Sequence, residues 1–194
     1  MWGVDPSAEM LARARAKPLP GGGFKRAPGE RLPFKDGWFE AAVLRQVVHL
    51  LDRPRAFLEL ARVLRSDGRA VVATFAPEHF DRLWLAPFFP AVARIDRARF
   101  PSPAALATEL AAAAFDAPRV RGLVQRGRMT RDEALARLRG RYISTLHLLD
   151  DEEYEEGLAR ADRELRSEID YELRWVVLTV ERRVGYGRAV RPAP

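Results

Sequence analysis

The stretch from Leu32 to Phe75, LPFKDGWFEAAVLRQVVHLLDRPRAFLELARVLRSDGRAVVATF, constrains the fold of this chain most. Phe39 to Leu44 follows Asp36-Gly37 as a short, continuous apolar run. A run of that length without alternation suits a strand buried on both faces of a parallel sheet. Asp52 then stands where a helix cap belongs, with Pro54 in the first turn, where a missing N–H costs nothing. Phe57, Leu60, Val63 and Leu64 follow at helical spacing and give that helix one apolar face. Gly68 is expected to stop the helix, and Arg69 to Phe75 supplies a second buried strand through Val71, Val72 and Phe75. Strand, crossover helix and strand make a βαβ unit, whose crossover is right-handed in nearly all cases. The pattern fixes an α/β class and says nothing yet of chemistry.

The flanks extend this unit. Met1 to Asp5 reads as the end of a strand, and Ser7 caps a short helix that begins at Pro6. Phe24 to Arg26 is at most a short third strand. Ser102-Pro103 starts a helix over Ala104 to Ala114, and Arg119 to Gln125 alternates as a strand. Thr130-Arg131-Asp132-Glu133 is a capping box that opens a helix running to about Leu146. A second charged helix covers Asp151 to Leu165, and Glu172 to Val180 is the last strand. Gly21-Gly22-Gly23 follows a helix and lies between Pro20 and Phe24, so it is a plain loop and not a phosphate cradle.

At 194 residues the chain suits one domain with a sizeable core. No apolar run approaches the ~20 residues of a membrane helix, and no basic segment with an apolar core opens the chain. No membrane insertion and a cytoplasmic location are therefore expected. The absence of cysteine removes thiolate metal sites and cysteine nucleophiles together. The net charge of +6 is spread over arginines interleaved with acids, so nucleic acid is not the expected partner. Three histidines far apart give no metal site.

Leu32-Pro33-Phe34, Asp36-Gly37, Phe39-Glu40, Val47-Val48-His49-Leu50-Leu51, Ala61-Arg62-Val63-Leu64-Arg65 and Gly68-Arg69 together resemble the central block of class I S-adenosylmethionine-dependent methyltransferases. The similarity is to the type 11 subgroup around ubiquinone/menaquinone biosynthesis, with Glu40 in place of the usual Asp and Ser66-Asp67-Gly68 in place of Pro-Gly-Gly. Val4-Asp5-Pro6-Ser7-Ala8-Glu9-Met10-Leu11 matches that family's second-strand end. The resemblance implies a Rossmann-like, doubly wound, mostly parallel sheet with an antiparallel last strand and a helical insertion before it, at about residues 128 to 167. It also implies that the family's first strand and glycine-rich turn are missing, so that the chain is expected to be N-terminally truncated. The methyltransferase-like domain is expected over 1–183, with 184–194 as a flexible basic tail.

The site follows from the same resemblance. Asp5 would accept hydrogen bonds from the ribose hydroxyls of S-adenosylmethionine, and Met10 would lie near its adenine. The family's adenine-contacting acid falls on Pro28, so that contact passes to apolar surface or to the Gly29 backbone. Arg45 matches a position near the cofactor, where it binds a substrate anion or stands as an ion-paired strand-end arginine. Gln46 accompanies it. His49 is a candidate general base, against simple packing at the helix entry. Trp84 and Phe88, in Leu83 to Pro90, form a substrate wall or else cover the sheet. Tyr142, Thr145 and His147 lie at the end of the first late helix, where ordinary packing is favoured. The partner implied is a small-molecule methyl acceptor. Two other readings remain: a methyltransferase-like binding module without activity, and a nicotinamide-dependent enzyme, which would also place an acid at Asp5.

Overall fold

The computed structural model describes residues 1–17 and 21–184. The expected tail from Gly185 to Pro194 therefore lies outside the described residues, as do Pro18 and Pro20 of the early loop. Among the described residues six strands and six α-helices follow one another in an α/β order: β1 (Trp2–Asp5), α1 (Ala8–Arg15), β2 (Gly23–Arg26), β3 (Phe39–Arg45), α2 (Arg53–Val63), β4 (Leu64–Phe75), α3 (Pro90–Arg99), α4 (Pro103–Ala112), β5 (Arg119–Thr130), α5 (Arg131–Arg139), α6 (Asp151–Glu164) and β6 (Glu168–Glu181). β1 and β2 pair in parallel as a two-stranded sheet. The other four form an open sheet in the order β3-β4-β6-β5, with β3 and β4 parallel. β6 runs antiparallel to its neighbours. Its Arg182 N–H reaches Gly68 and its Arg174 carbonyl receives Ala76 N–H, so one strand advances as the other retreats.

The chain divides into two compact units. Of the described residues, the first holds those within 1–73, 103–120 and 178–184, and the second 74–102 and 121–177. In the first, the apolar face of α2 lies with that of α4, and Phe57, Leu60, Leu106, Leu110 and Phe115 are buried. In the second, Leu85, Phe88, Phe89, Val92, Leu135, Leu138, Leu146, Leu149 and Tyr154 form a continuous core.

Several boundaries differ from the sequence reading, each for a local reason. α2 ends at Val63 and β4 begins at Leu64, so the strand absorbs Arg65 to Gly68. Asp52 occupies the N-cap position without a side-chain cap bond, and its carboxylate pairs with Arg55 at 3.4 Å. β3 is not buried on both faces: Val43 is 69% exposed and Ala41 is exposed as well, because β4 is the only strand bonded to β3 among the described residues. The helix opened by the Thr130 capping box stops at Arg139, where Gly140 caps it and Arg141 turns to φ +42°, and a 3-10 turn over Ser144–His147 follows. α3 was not anticipated at all.

Candidate functional site

The expected cofactor residues all belong to the first unit. Asp5 ends β1 half-buried, and its Oδ1 accepts the Ser7 N–H at 2.7 Å. Ser7 in turn caps α1 by accepting the Met10 N–H at 3.2 Å. These two short-range bonds fix the Asp5 side chain at the strand end while committing only one of its oxygens. An ionised carboxylate has further acceptor positions, which is the provision a diol requires. Met10 is 52% exposed on α1. Pro28 is exposed and Gly29 half-buried in the loop after β2. A Cβ at Gly29 would meet Leu51 Cδ2 at 2.9 Å, so a larger residue would push this loop away from Leu51.

At the carboxyl end of β3, Arg45 is exposed, and Gln46 takes φ +52°, a conformation that non-glycine residues adopt at a cost. The turn is held by Gln46 N–H donating to Ala73 O at 2.9 Å. It leaves Gln46 Nε2 buried with no hydrogen-bond partner among the described residues. A buried amide donor left unspent costs roughly 1–3 kcal/mol, and it stands where ligands collect in open α/β sheets. His49 lies half-buried in a 3-10 turn, Val48–Leu50.

The loop before β3 is tied to α2 through one arginine. Arg62 donates to Leu32 O at 3.0 Å, to Phe34 O at 2.8 Å and to the carboxylates of Glu59 and Asp36. Glu59 also accepts Leu32 N–H at 2.7 Å. The Arg62 guanidinium holds the Glu59 carboxyl below its ordinary range, and the carboxylates raise the Arg62 pKa in return. The block LPFKD thus owes its position to Glu59 and Arg62, the latter within the stretch ARVLR.

The second unit contains a cavity of about 70 Å³. Trp84 and Tyr142 form part of its wall, their rings stacked with centroids 6.4 Å apart. Phe75, His79, Asp96 and Glu172 line it as well. Phe88 does not: it is buried in the core beside Phe89. His79 is 3% exposed, lies tilted against Phe75 with ring centroids 3.9 Å apart, and carries a buried Nδ1 with no hydrogen-bond partner among the described residues. Burial, aided by the Arg174 charge, lowers its pKa to about 4. Asp96 accepts the Thr145 hydroxyl, and Arg99 lies 3.7 Å from it and donates to Thr145 Oγ1 at 3.0 Å. Burial raises the Asp96 pKa in spite of these partners.

Sequence reasoning missed His79 and Asp96 as members of a site. The signal for α3 was present in Pro90 at its first turn and the apolar pair Val92 and Ala93 one turn before Asp96. Tyr142 reaches the cavity and Thr145 holds Asp96, whereas His147 lies outside, with Nε2 3.1 Å from Arg141 O.

Comparison with known proteins agrees with this fold. Residues 1–72 match the family model of the methyltransferase domain. Over 80 residues the chain is 34% identical to the ubiquinone/menaquinone biosynthesis C-methyltransferase of Citrifermentans bemidjiense, covering 38% of this chain. The match spans about a third of that relative's length, 34%. Among solved structures, a candidate methyltransferase of an antibiotic biosynthesis pathway from Anabaena variabilis superposes with a TM-score of 0.65 at 22% identity, over 91% of this chain and 80% of the other. The YcgJ protein of Bacillus subtilis gives 0.58 at 24%, over 95% and 82%. The resemblance to the methyltransferase domain is thus carried by residues 1–72, and the open, mixed α/β sheet is the fold shared with these solved structures.

Proposed function

We propose that the protein transfers a methyl group from S-adenosylmethionine to a small-molecule acceptor, and that residues 1–183, with the helices of about 128–167 as an insertion, serve this one task in the cytoplasm. The observation that carries the reading is the pair of strand ends in the first unit: Asp5 with an uncommitted carboxylate oxygen after β1, and Gln46 with a buried, unspent amide donor after β3. These groups fit the cofactor's chemistry. Asp5 would take the ribose hydroxyls, Met10 and the Pro28-Gly29 loop would flank the adenine, and Arg45 and Gln46 would meet its polar end or the acceptor. When bound, the cofactor supplies an electrophilic methyl on a sulfonium. The protein's part is alignment and the exclusion of water, because displacement at that carbon requires a near-linear approach and little else. A side-chain base is needed only where the acceptor must lose a proton. His49 is the first-unit candidate for that role.

A second reading, a methyltransferase-like module that binds without catalysing, is favoured by the unpaired strand edges. β1 and β3 each have one bonded neighbour among the described residues. Calorimetric titration with S-adenosylmethionine and S-adenosylhomocysteine decides between the two. Binding that Asp5→Ala weakens by roughly 1–3 kcal/mol, the range for losing a charge-assisted partner, supports methyl transfer. No binding of either compound favours the module.

A further inference from the structure

The first unit contains two pairs of strands, β1 with β2 and β3 with β4, that belong to separate sheets among the described residues. Asp5 ends a strand of the one, and Gln46 follows a strand of the other. A two-stranded sheet is marginal by itself, so groups outside the ladders must set the spacing of these two strand ends. The loop from Leu32 to Phe34 carries them. Three consecutive carbonyls of this loop each accept from a cation, and the cations come from different elements. Leu32 O and Phe34 O take the Arg62 guanidinium of α2 at 3.0 and 2.8 Å. Pro33 O, between them, takes Lys25 Nζ of β2 at 3.2 Å. Rings follow the same route: Phe34 meets Trp2 of β1 edge-on at 5.8 Å and Phe39 of β3 at 4.8 Å. The Lys25 ammonium lies 5.2 Å from the Trp2 ring and 4.9 Å from the Phe34 ring, so the aromatic pair that spans from β1 to the loop also holds the cation. Nearer the Pro28-Gly29 turn, Glu30 accepts Asp52 N–H at 2.8 Å and ties the loop to the start of α2.

We propose that Lys25 and Arg62 are positioning residues of the cofactor site: they clasp Leu32 to Phe34 from β2 and from α2, and thereby fix the spacing between Asp5 and the end of β3. Neither has to touch the cofactor. The positioning role rests on the methyl-transfer reading, whereas the clasp between the strand pairs does not. Without the clasp, Asp5 keeps its local bond from Ser7 N–H but moves with β1 and β2 relative to Gln46. A chain that holds the binding spacing only about 10–20% of the time loses about five- to tenfold in apparent affinity.

The chain has no cysteine, so a pair of spin labels can be placed on the full chain through Ala12→Cys and Leu58→Cys, both at exposed positions. The first stands on α1, which packs on β1 and β2, and the second on α2. Pulsed electron spin resonance should give one narrow distance, which Lys25→Met and Arg62→Met should each broaden. Calorimetry on the folded variants should show S-adenosylmethionine and adenosine weakened together, by about five- to tenfold, because Asp5 faces the ribose that the two ligands share. Lys25→Arg keeps a cation for Pro33 O and for the two rings, and its affinity should stay within about twofold of the unmodified chain. A purely structural role would lower the unfolding temperature and leave the affinity of the folded chain unmoved. Should Arg62→Met fail to fold, Lys25→Met and Lys25→Arg decide. An unbroadened distance in Lys25→Met, or an unchanged affinity in spite of broadening, overturns the positioning role and leaves methyl transfer standing. Binding of neither ligand by the unmodified chain sinks the methyl-transfer reading, and the positioning role with it.

Discussion

Residues 1–31 carry four of the expected cofactor contacts and, among those described, bury a single side chain, Leu11. Residues 74–102 and 121–177 carry none of those contacts and bury an unbroken cluster of leucines and aromatics. The same chain thus positions functional groups by two means. At the β1 end, the Asp5 carboxylate accepts the N–H of Ser7 two positions on, and Ser7 in turn accepts the Met10 N–H, all within one strand-to-helix turn. Around the cavity, Asp96 meets Thr145 across 49 positions of sequence, and what holds them is the packing of α3 against the 3-10 turn. Local bonds tolerate an open, mobile surround, whereas contacts across long sequence separations persist only while the core between them stays dense.

The contrast breaks most visibly in the core. Phe89 is fully buried, and a Cβ on Gly157 would meet its ring at 2.4 Å, so the ring fills its site without slack. Phe89→Ala is expected to destabilise by about 3–5 kcal/mol, measured by urea denaturation. Under conditions where the variant remains folded, calorimetry should still detect cofactor binding by the first unit. Retention of cofactor binding in the destabilised variant would sharpen the division, and its loss would erase it.

The next effect is electrostatic. His79 has a pKa of about 4 in the folded chain against an ordinary 6.5, so the unfolded chain takes up the proton first as the pH falls. The stability due to the neutral ring is complete above about pH 6.5 and is lost progressively down to about pH 4. At ~1.4 kcal/mol per pH unit the loss approaches 3 kcal/mol. Urea midpoints at pH 7.0, 5.5 and 4.5 should fall accordingly, and His79→Phe should flatten that limb. An unchanged slope in the variant would mean that other groups carry the acid sensitivity.

In the first unit the corresponding test is Arg62→Met. It removes donors to Leu32 O and Phe34 O and leaves Glu59 without its guanidinium, at an expected cost of roughly 1.5–3 kcal/mol for hydrogen bonds to charged groups. The Glu59 pKa is lowered in the fold, so the contribution of the Glu59–Arg62 pair is present above the unfolded carboxyl's range and lost as the pH falls through the lower folded value. Measured below pH 4, the difference between Arg62→Met and the unmodified chain should shrink.

These differences in mechanism explain what the sequence could reveal. The βαβ unit, the Ser7 cap and the Thr130 capping box were legible because periodicity and caps are written within a few residues. Gly140 ended α5 early because a glycine and the left-handed Arg141 outweighed a continuing apolar pattern. The two-sided burial expected of β3 depended on a second neighbouring strand, and no local pattern reports whether one is there. His79 and Asp96 were illegible for a related reason. Neither stands in a motif, and their surroundings come from Phe75, Thr145, Arg99 and Arg174, brought together only by folding. Trp84 and Phe88 could not be told apart in the sequence, since one turn of chain decides which aromatic lines the cavity and which packs in the core.

The smallest effect tests the local half of the comparison most directly. Ser7→Ala removes the acceptor for Met10 N–H and should cost about 1 kcal/mol, the usual value of an N-cap. The Ser7 backbone N–H still holds Asp5 Oδ1 in this variant, so the carboxylate keeps its orientation while α1 frays. Amide exchange should therefore quicken over Ala8 to Arg15, with no change in the second unit and at most a twofold change in cofactor affinity. Asp5→Asn separates the remaining possibility. It keeps an oxygen for Ser7 N–H but gives up the negative charge, so weaker cofactor binding with unchanged exchange over α1 would assign Asp5 to the ligand, and quicker exchange with unchanged binding would assign it to the turn.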